Sequence, residues 1–188
     1  MTDISARDGP FVLEPPLSWS AIVAGALVAL AVTVFFAVLA AGFGYNVMIG
    51  AIASQRALTD FTPTLGAASV AVQVVSTALG AYLAGRLRHL WLGAHSDEAH
   101  FRDTAHGLLV WALATVAMLI LATTVAPFAA SVTATAPTLA PDPVRAAHIL
   151  AQSAFFTAVG MVLSAFTGAV AARLGGLRTE EMHGRPRA

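Results

Sequence analysis

Four long runs free of acidic and basic residues divide this chain, and charged residues bound each of them. The first extends from Pro15 to Gln55 between Glu14 and Arg56, and the second from Phe61 to Gly85 between Asp60 and Arg86. The third extends from Thr104 to Pro141 between Asp103 and Asp142, and the fourth from Ala146 to Ala172 between Arg145 and Arg173. Each exceeds the roughly 20 residues that a helix needs to cross about 30 Å of hydrocarbon. The pattern predicts an all-α polytopic membrane protein with four transmembrane helices, near Trp19 to Phe43, Thr64 to Leu87, Asp97 to Ala126 and Arg145 to Leu174. The implied division is a short N-terminal segment over 1–18, a four-helix transmembrane domain over 19–174 and an arginine-bearing tail over 175–188.

Prolines sit where this division needs them. All nine fall outside the apolar cores so drawn, where a missing N–H would break the backbone ladder in a medium that offers no replacement donor. A cleaved signal peptide is the competing account of the first run, and it fits poorly. Asp3, Asp8 and Glu14 outweigh the single Arg7 before Trp19, whereas a signal starts basic and has a short apolar core.

Composition agrees with lipid as the main solvent. Hydrophobic residues make up 57% of the 188 and charged residues 11%, against about a quarter charged in soluble domains. Cysteine is absent, which removes disulfides, thiol nucleophiles and cysteine metal sites. Lysine is absent too, so arginine alone carries the orienting signal. Arg7, Arg86, Arg88, Arg102, Arg173, Arg178, Arg185 and Arg187 lie in the two tails and the middle loop, leaving Arg56 and Arg145 for the other side. Basic flanks stay in the cytoplasm, so both ends are expected inside a bacterial inner membrane. The Gly44 to Pro63 loop, with Val47, Met48, Ile49 and Ile52, is then expected outside along the interface.

Two further patterns concern packing. Gly25, Leu27, Val28 and Thr33 match Gly107, Leu109, Val110 and Thr115 at a constant offset of 82. Ser76, Gly80, Ala81 and Arg86 echo Ser164, Gly168, Ala169 and Arg173, with a one-residue gap before the arginine. The correspondence implies two tandem helical hairpins of the same orientation, as in parallel-repeat transporters. Small side chains also recur every four residues, at Ala21, Gly25, Ala29, Thr33, Ala37 and Ala41, at Ser76, Gly80 and Ala84, and at Gly160, Ser164, Gly168 and Ala172. Such faces let helix backbones approach closely in lipid, within one chain or between chains.

Candidate chemistry is concentrated in His95-Ser-Asp97-Glu98-Ala-His100-Phe-Arg102-Asp103-Thr-Ala-His106. Imidazole and carboxylate suit zinc, iron or manganese, which makes His95, His100, Asp103 and His106 the candidate metal ligands. A helix start accounts for much of the same cluster. Ser96 suits an N-cap, Asp97 and Glu98 suit the first turn, and Glu98 pairs with Arg102 at i, i+4. Residues stepping by three drift about 60° each time, so one ion would need ligands from elsewhere to close its shell. Arg86 or Arg88 is a candidate partner for Asp103 across the helix 2 to helix 3 turn. Gln73, His148 and Gln152 are the remaining polar candidates in or beside the spans.

Ser18-Trp-Ser-Ala-Ile-Val-Ala-Gly25, Gly80-Ala-Tyr-Leu-Ala-Gly-Arg-Leu87 and the run from His95 to Trp111 resemble signatures of a family of uncharacterised bacterial four-helix inner-membrane proteins. The resemblance covers helices 1 to 3 and implies a membrane class without an assigned activity. No phosphate loop, nucleophile elbow, zinc-protease pair or haem motif is present, so no cofactor is expected and an enzyme is disfavoured. A zero net charge gives nucleic acid no purchase. The leading expectation is a non-enzymatic oligomerising, accessory or scaffold subunit whose partners are lipids, copies of itself or another membrane protein. The alternative is a small transporter or channel with a histidine-rich cytoplasmic segment that senses metal or protons.

Overall fold

The computed structural model describes residues 17–53, 63–88, 96–133 and 143–182. They form four helices in chain order: α1 (Trp19–Ala53), α2 (Pro63–Leu87), α3 (Ser96–Thr133) and α4 (Pro143–Met182). Each contains a stretch long and apolar enough to cross a membrane, over Trp19–Ala40, Leu65–Leu87, His100–Thr124 and Ala147–Met182. The described residues are therefore all helix apart from short flanks, and the four-span expectation holds.

The helices outrun the sequence estimate at several ends. α1 continues ten residues past Phe43 through Gly44 to Ala53, so part of the expected outer loop is helical backbone. Each of Gly42, Gly44 and Gly50 costs the helix only about 1 kcal/mol, and no proline follows until Pro63. Pro63 and Pro143 open α2 and α4, at the first-turn position where a missing N–H costs nothing. Pro127 lies inside α3, beyond the apolar span that ends at Thr124. A further correction is at the C-terminal side, where α4 continues from Leu174 to Met182. Residues 175–182, expected in the tail, belong to the bundle, and Gly175 and Gly176 are buried in it.

Glycine positions decide how the four helices meet. A Cβ on Gly25 would lie 2.5 Å from the Gly80 carbonyl oxygen and 2.9 Å from the Ala84 Cβ. A Cβ on Gly80 would in turn overlap the Gly25 carbonyl and reach Ala29. α1 and α2 therefore touch backbone to backbone, close enough for Cα–H to carbonyl contacts worth about 0.5–1 kcal/mol each. α3 and α4 repeat the arrangement. A Cβ on Gly107 would overlap the Gly168 carbonyl and come 2.9 Å from the Ala172 Cβ. Gly25, Gly80 and Ala84 thus correspond to Gly107, Gly168 and Ala172, which puts the internal correspondence on matched contacts as well as matched letters.

α2 and α4 run parallel and make the most extensive contact in the bundle, while α1 and α4 do not pack on one another among the described residues. Gly85 and Gly175 let α2 and α4 close, since a side chain at either would strike backbone atoms of the other helix. The small-residue seams are hence spent inside this chain: Ala21, Gly25, Ala29, Ser76, Gly80, Ala84, Gly160, Ser164, Gly168 and Ala172 are all buried, whereas Ala37 is exposed. Large apolar residues face outward instead, with Val162 71% and Phe166 70% exposed, and only lipid can cover them at no cost.

Burial is confined almost entirely to one half. Among the described residues, buried positions fall at 18–29 in α1, 76–88 in α2, 103–110 in α3 and 160–179 in α4, with Gly66 beside Phe156 as the exception. This closed half contains the start of α1, the end of α2, the start of α3 and the end of α4. Beyond it burial falls away: nothing lies within 4 Å of a Cβ on Gly42, although Gly66 is still pressed against Phe156.

Candidate functional site

The closed end is locked by polar groups. Arg88, one residue past α2, has a fully buried side chain and faces Asp103 on α3 and Glu180 on α4. Its Nη2 donates to Asp103 Oδ2 at 3.0 Å and to Glu180 Oε1 at 3.0 Å, while Nε pairs with Asp103 Oδ1. The planar guanidinium is suited to this two-pronged grip on a carboxylate. Gly176 makes the room, because a Cβ there would strike Asp103 Oδ2 and lie 2.8 Å from Arg88 Nη2. Nearby, the Thr179 hydroxyl meets the carbonyl oxygens of Gly175 at 3.2 Å and Arg86 at 3.4 Å. It thereby supplies a donor to one of the last carbonyls of α2, which have no helical partner.

His106 closes the opposite corner. The Ser18 backbone N–H donates to His106 Nε2 at 3.0 Å, and His106 Nδ1 lies 2.7 Å from the Arg102 carbonyl. Both contacts are satisfied at once by the neutral tautomer with its proton on Nδ1. Ser18 in turn accepts the Ile22 N–H at 3.1 Å, so one imidazole fixes the entry of α1 onto α3. Replacing His106 with Leu is expected to cost about 1–3 kcal/mol, the range for a buried donor left unmade. Urea or SDS unfolding in detergent checks the value, and faster proteolytic cleavage just before α1 is the expected companion result.

These contacts determine the fate of the candidate metal ligands. Asp103 is engaged by Arg88 and His106 by Ser18 and Arg102, while His100 is half-buried and His95 lies outside the described residues. Among the described residues no three His, Asp or Glu side chains converge as a ligand set. Glu98 pairs with Arg102 as the helix-start reading anticipates. Arg88, of the two arginines considered, is the partner of Asp103. At the far end Gln152 and His148 bond to each other on the exposed face of α4 at 3.1 Å.

A cavity of about 300 Å³ is lined by all four helices. Thr33 on α1, Gln73 and Thr77 on α2, Trp111 and Thr115 on α3, and Thr157 and Ser164 on α4 supply its polar lining. Ala, Leu and Met fill the rest. At 1.5 Å rise per residue, Thr115 stands about 18 Å and Gln73 about 22 Å from the Arg88–Asp103 lock. Trp111 Nε1 donates to Ser164 Oγ at 3.1 Å and joins α3 to α4 at the cavity wall. The sequence marked Gln73 as a polar residue in lipid but gave no reason to group it with Trp111 or Ser164. What brings them together is the rotational phase of four helices around the glycine contacts below. No family model matches the chain, and neither the curated proteins nor the solved structures compared with it include a match.

Proposed function

We propose that this chain is a non-enzymatic, multi-pass protein of a bacterial inner membrane, with both ends in the cytoplasm, that holds a small molecule inside its bundle. The observation that carries the reading is the cavity lined by all four helices, with the buried, locked end of the bundle on one side of it. Its volume falls at the lower bound of pockets that take small molecules, about 300–1,000 Å³. Polar side chains within the hydrocarbon are usually kept for a purpose, and seven of them from four helices line one space here. The arginine bias of the tails and middle loop supports the orientation, which puts the lock inside and the cavity toward the outer leaflet.

This reading corresponds to the binding half of a carrier and stands ahead of a scaffold. The small-residue faces, which could have joined helices within one chain or between chains, are mostly occupied within the chain. Any assembly with copies or another protein would use the lipid-facing Leu, Val and Phe surfaces instead.

Native mass spectrometry tests the proposal. Protein purified in mild detergent and incubated with a bacterial membrane extract is expected to retain a bound molecule at one per chain. Ala114→Phe, which fills the cavity from its α3 wall, is expected to release it. Adducts of equal occupancy in both proteins, or in neither, would overturn the reading.

A further inference from the structure

Resting on the binding role just proposed, the hydrogen-bond inventory of the cavity wall narrows the class of occupant. Charge comes first. The lining contains no acidic or basic side chain, and the nearest described ion pair, at the lock, is more than a helical turn away from its closest member, Trp111. An ion brought there would lose its hydration without a counter-charge, a cost of many kcal/mol in a medium of low dielectric constant. The occupant is therefore neutral. Half of the lining residues are Ala, Leu and Met and most of the surface they and their neighbours present is apolar, so the larger part of the occupant is apolar.

Protons decide the remainder. The Thr33 hydroxyl donates to the Ala29 carbonyl at 2.9 Å, and the Thr115 hydroxyl to the Trp111 carbonyl at 2.8 Å. Ser164 Oγ donates to the Met161 carbonyl at 3.1 Å and accepts the Trp111 indole N–H. Four wall protons are thus consumed by the wall itself, and what the hydroxyls of Thr33 and Thr115 turn to the cavity is lone pairs. Gln73 Oε1 is buried against Gly160 with no hydrogen-bond partner, on the α4 side of its residue. The Thr77 and Thr157 hydroxyls can each serve as donor or acceptor and Gln73 Nε2 as donor alone, so the wall oxygens committed to accepting are those of Thr33 and Thr115.

We propose that the cavity selects a neutral amphiphile carrying an O–H or N–H donor on an apolar body, with an alcohol as the simplest member of the class. A matched ether of the same size would leave the Thr33 and Thr115 oxygens facing an apolar or acceptor surface, and unmade hydrogen bonds of that kind are what separates close analogues in a dry site.

Trp111 provides the readout. In full-length protein with Trp19→Phe and Trp91→Phe, reconstituted in nanodiscs, Trp111 is the remaining indole and bromine in the cavity will quench it. Bromoundecanol is expected to quench saturably, with an affinity at least about fivefold above that of its methyl ether, the equivalent of one hydrogen bond of about 1 kcal/mol. Thr33→Val and Thr115→Val together are expected to bring the alcohol down to the level of the ether while leaving the ether unchanged. Saturable quenching with equal affinity for alcohol and ether would overturn this inference and leave the binding role intact. A preference that survives both valine substitutions would overturn the assignment to these oxygens. Quenching that never saturates and is indifferent to Ala114→Phe would be simple partition into lipid, and would overturn the inference and the binding role together.

Discussion

Asp103→Ala is expected to destabilise the bundle by about 3–5 kcal/mol, the cost of removing one partner from a buried ion pair. Arg88 has no water to turn to, since its side chain is fully buried, and Glu180, 23% exposed, holds it through one nitrogen. The loss is thus mainly that of stranding a guanidinium and only partly that of a favourable contact. Arg88→Met with Asp103→Leu removes both charges and keeps the volume, so the double variant should recover most of the stability lost by either single change. Glu180→Gln should cost less, about 1 kcal/mol, because that carboxylate keeps partial access to solvent. SDS or urea titration of the four proteins in the same detergent measures all of these. An Asp103→Ala protein as stable as the parent would mean that the lock does not hold the closed end.

The second large effect comes from adding one carbon. Gly85→Ala places a methyl into the Ala172 carbonyl and within 3.0 Å of the Gly176 nitrogen. Backbone cannot rotate away as a side chain can, so α2 and α4 must move apart along their most extensive contact. A loss of at least about 3 kcal/mol is expected, at or above the upper end for overpacking of side chains alone. Gly42→Ala supplies the control, because nothing lies within 4 Å of a Cβ there. That change should be neutral or stabilising by up to about 1 kcal/mol, through helix propensity. Thermal melts of the two variants check the contrast, and similar midpoints would mean that the α2–α4 crossing is looser than described.

Much of this fold is legible in the sequence because lipid leaves few choices. Uncharged runs of sufficient length have to become helices, and small residues at every fourth position face a neighbour over most of their length, Ala37 being exposed. The Arg88–Asp103 pair follows from the same logic, as opposite charges at the ends of consecutive spans. Glu180 was missed because the charged segment after Leu174 reads as a solvated tail. Its signal was present in the seam itself: Gly168 and Ala172 continue at the same spacing to Gly176 and then Glu180. Helix ends were underestimated where apolar or alanine-rich sequence continues past the span, since nothing local stops a helix there.

The cavity was beyond sequence reasoning for a different reason. Thr33, Gln73, Thr115 and Ser164 are ordinary polar residues in apolar helices, and hydroxyls bonded to their own backbone carry no long-range signal. Their grouping depends on the rotational phase of four helices, which the close contacts at Gly25, Gly80, Gly85, Gly107 and Gly175 set.

The two hairpins match at their glycines but differ at one place that matters. Four residues beyond Ala84 stands Arg88, and four beyond its counterpart Ala172 stands Gly176, the residue whose missing side chain gives the guanidinium its space. Two copies of the first hairpin joined in the manner of this chain would set arginine against arginine with neither carboxylate to share, since Asp103 and Glu180 both stand on the second. The halves are therefore a socket and its plug, and the molecule has a handedness of charge that no symmetric pairing of either half reproduces.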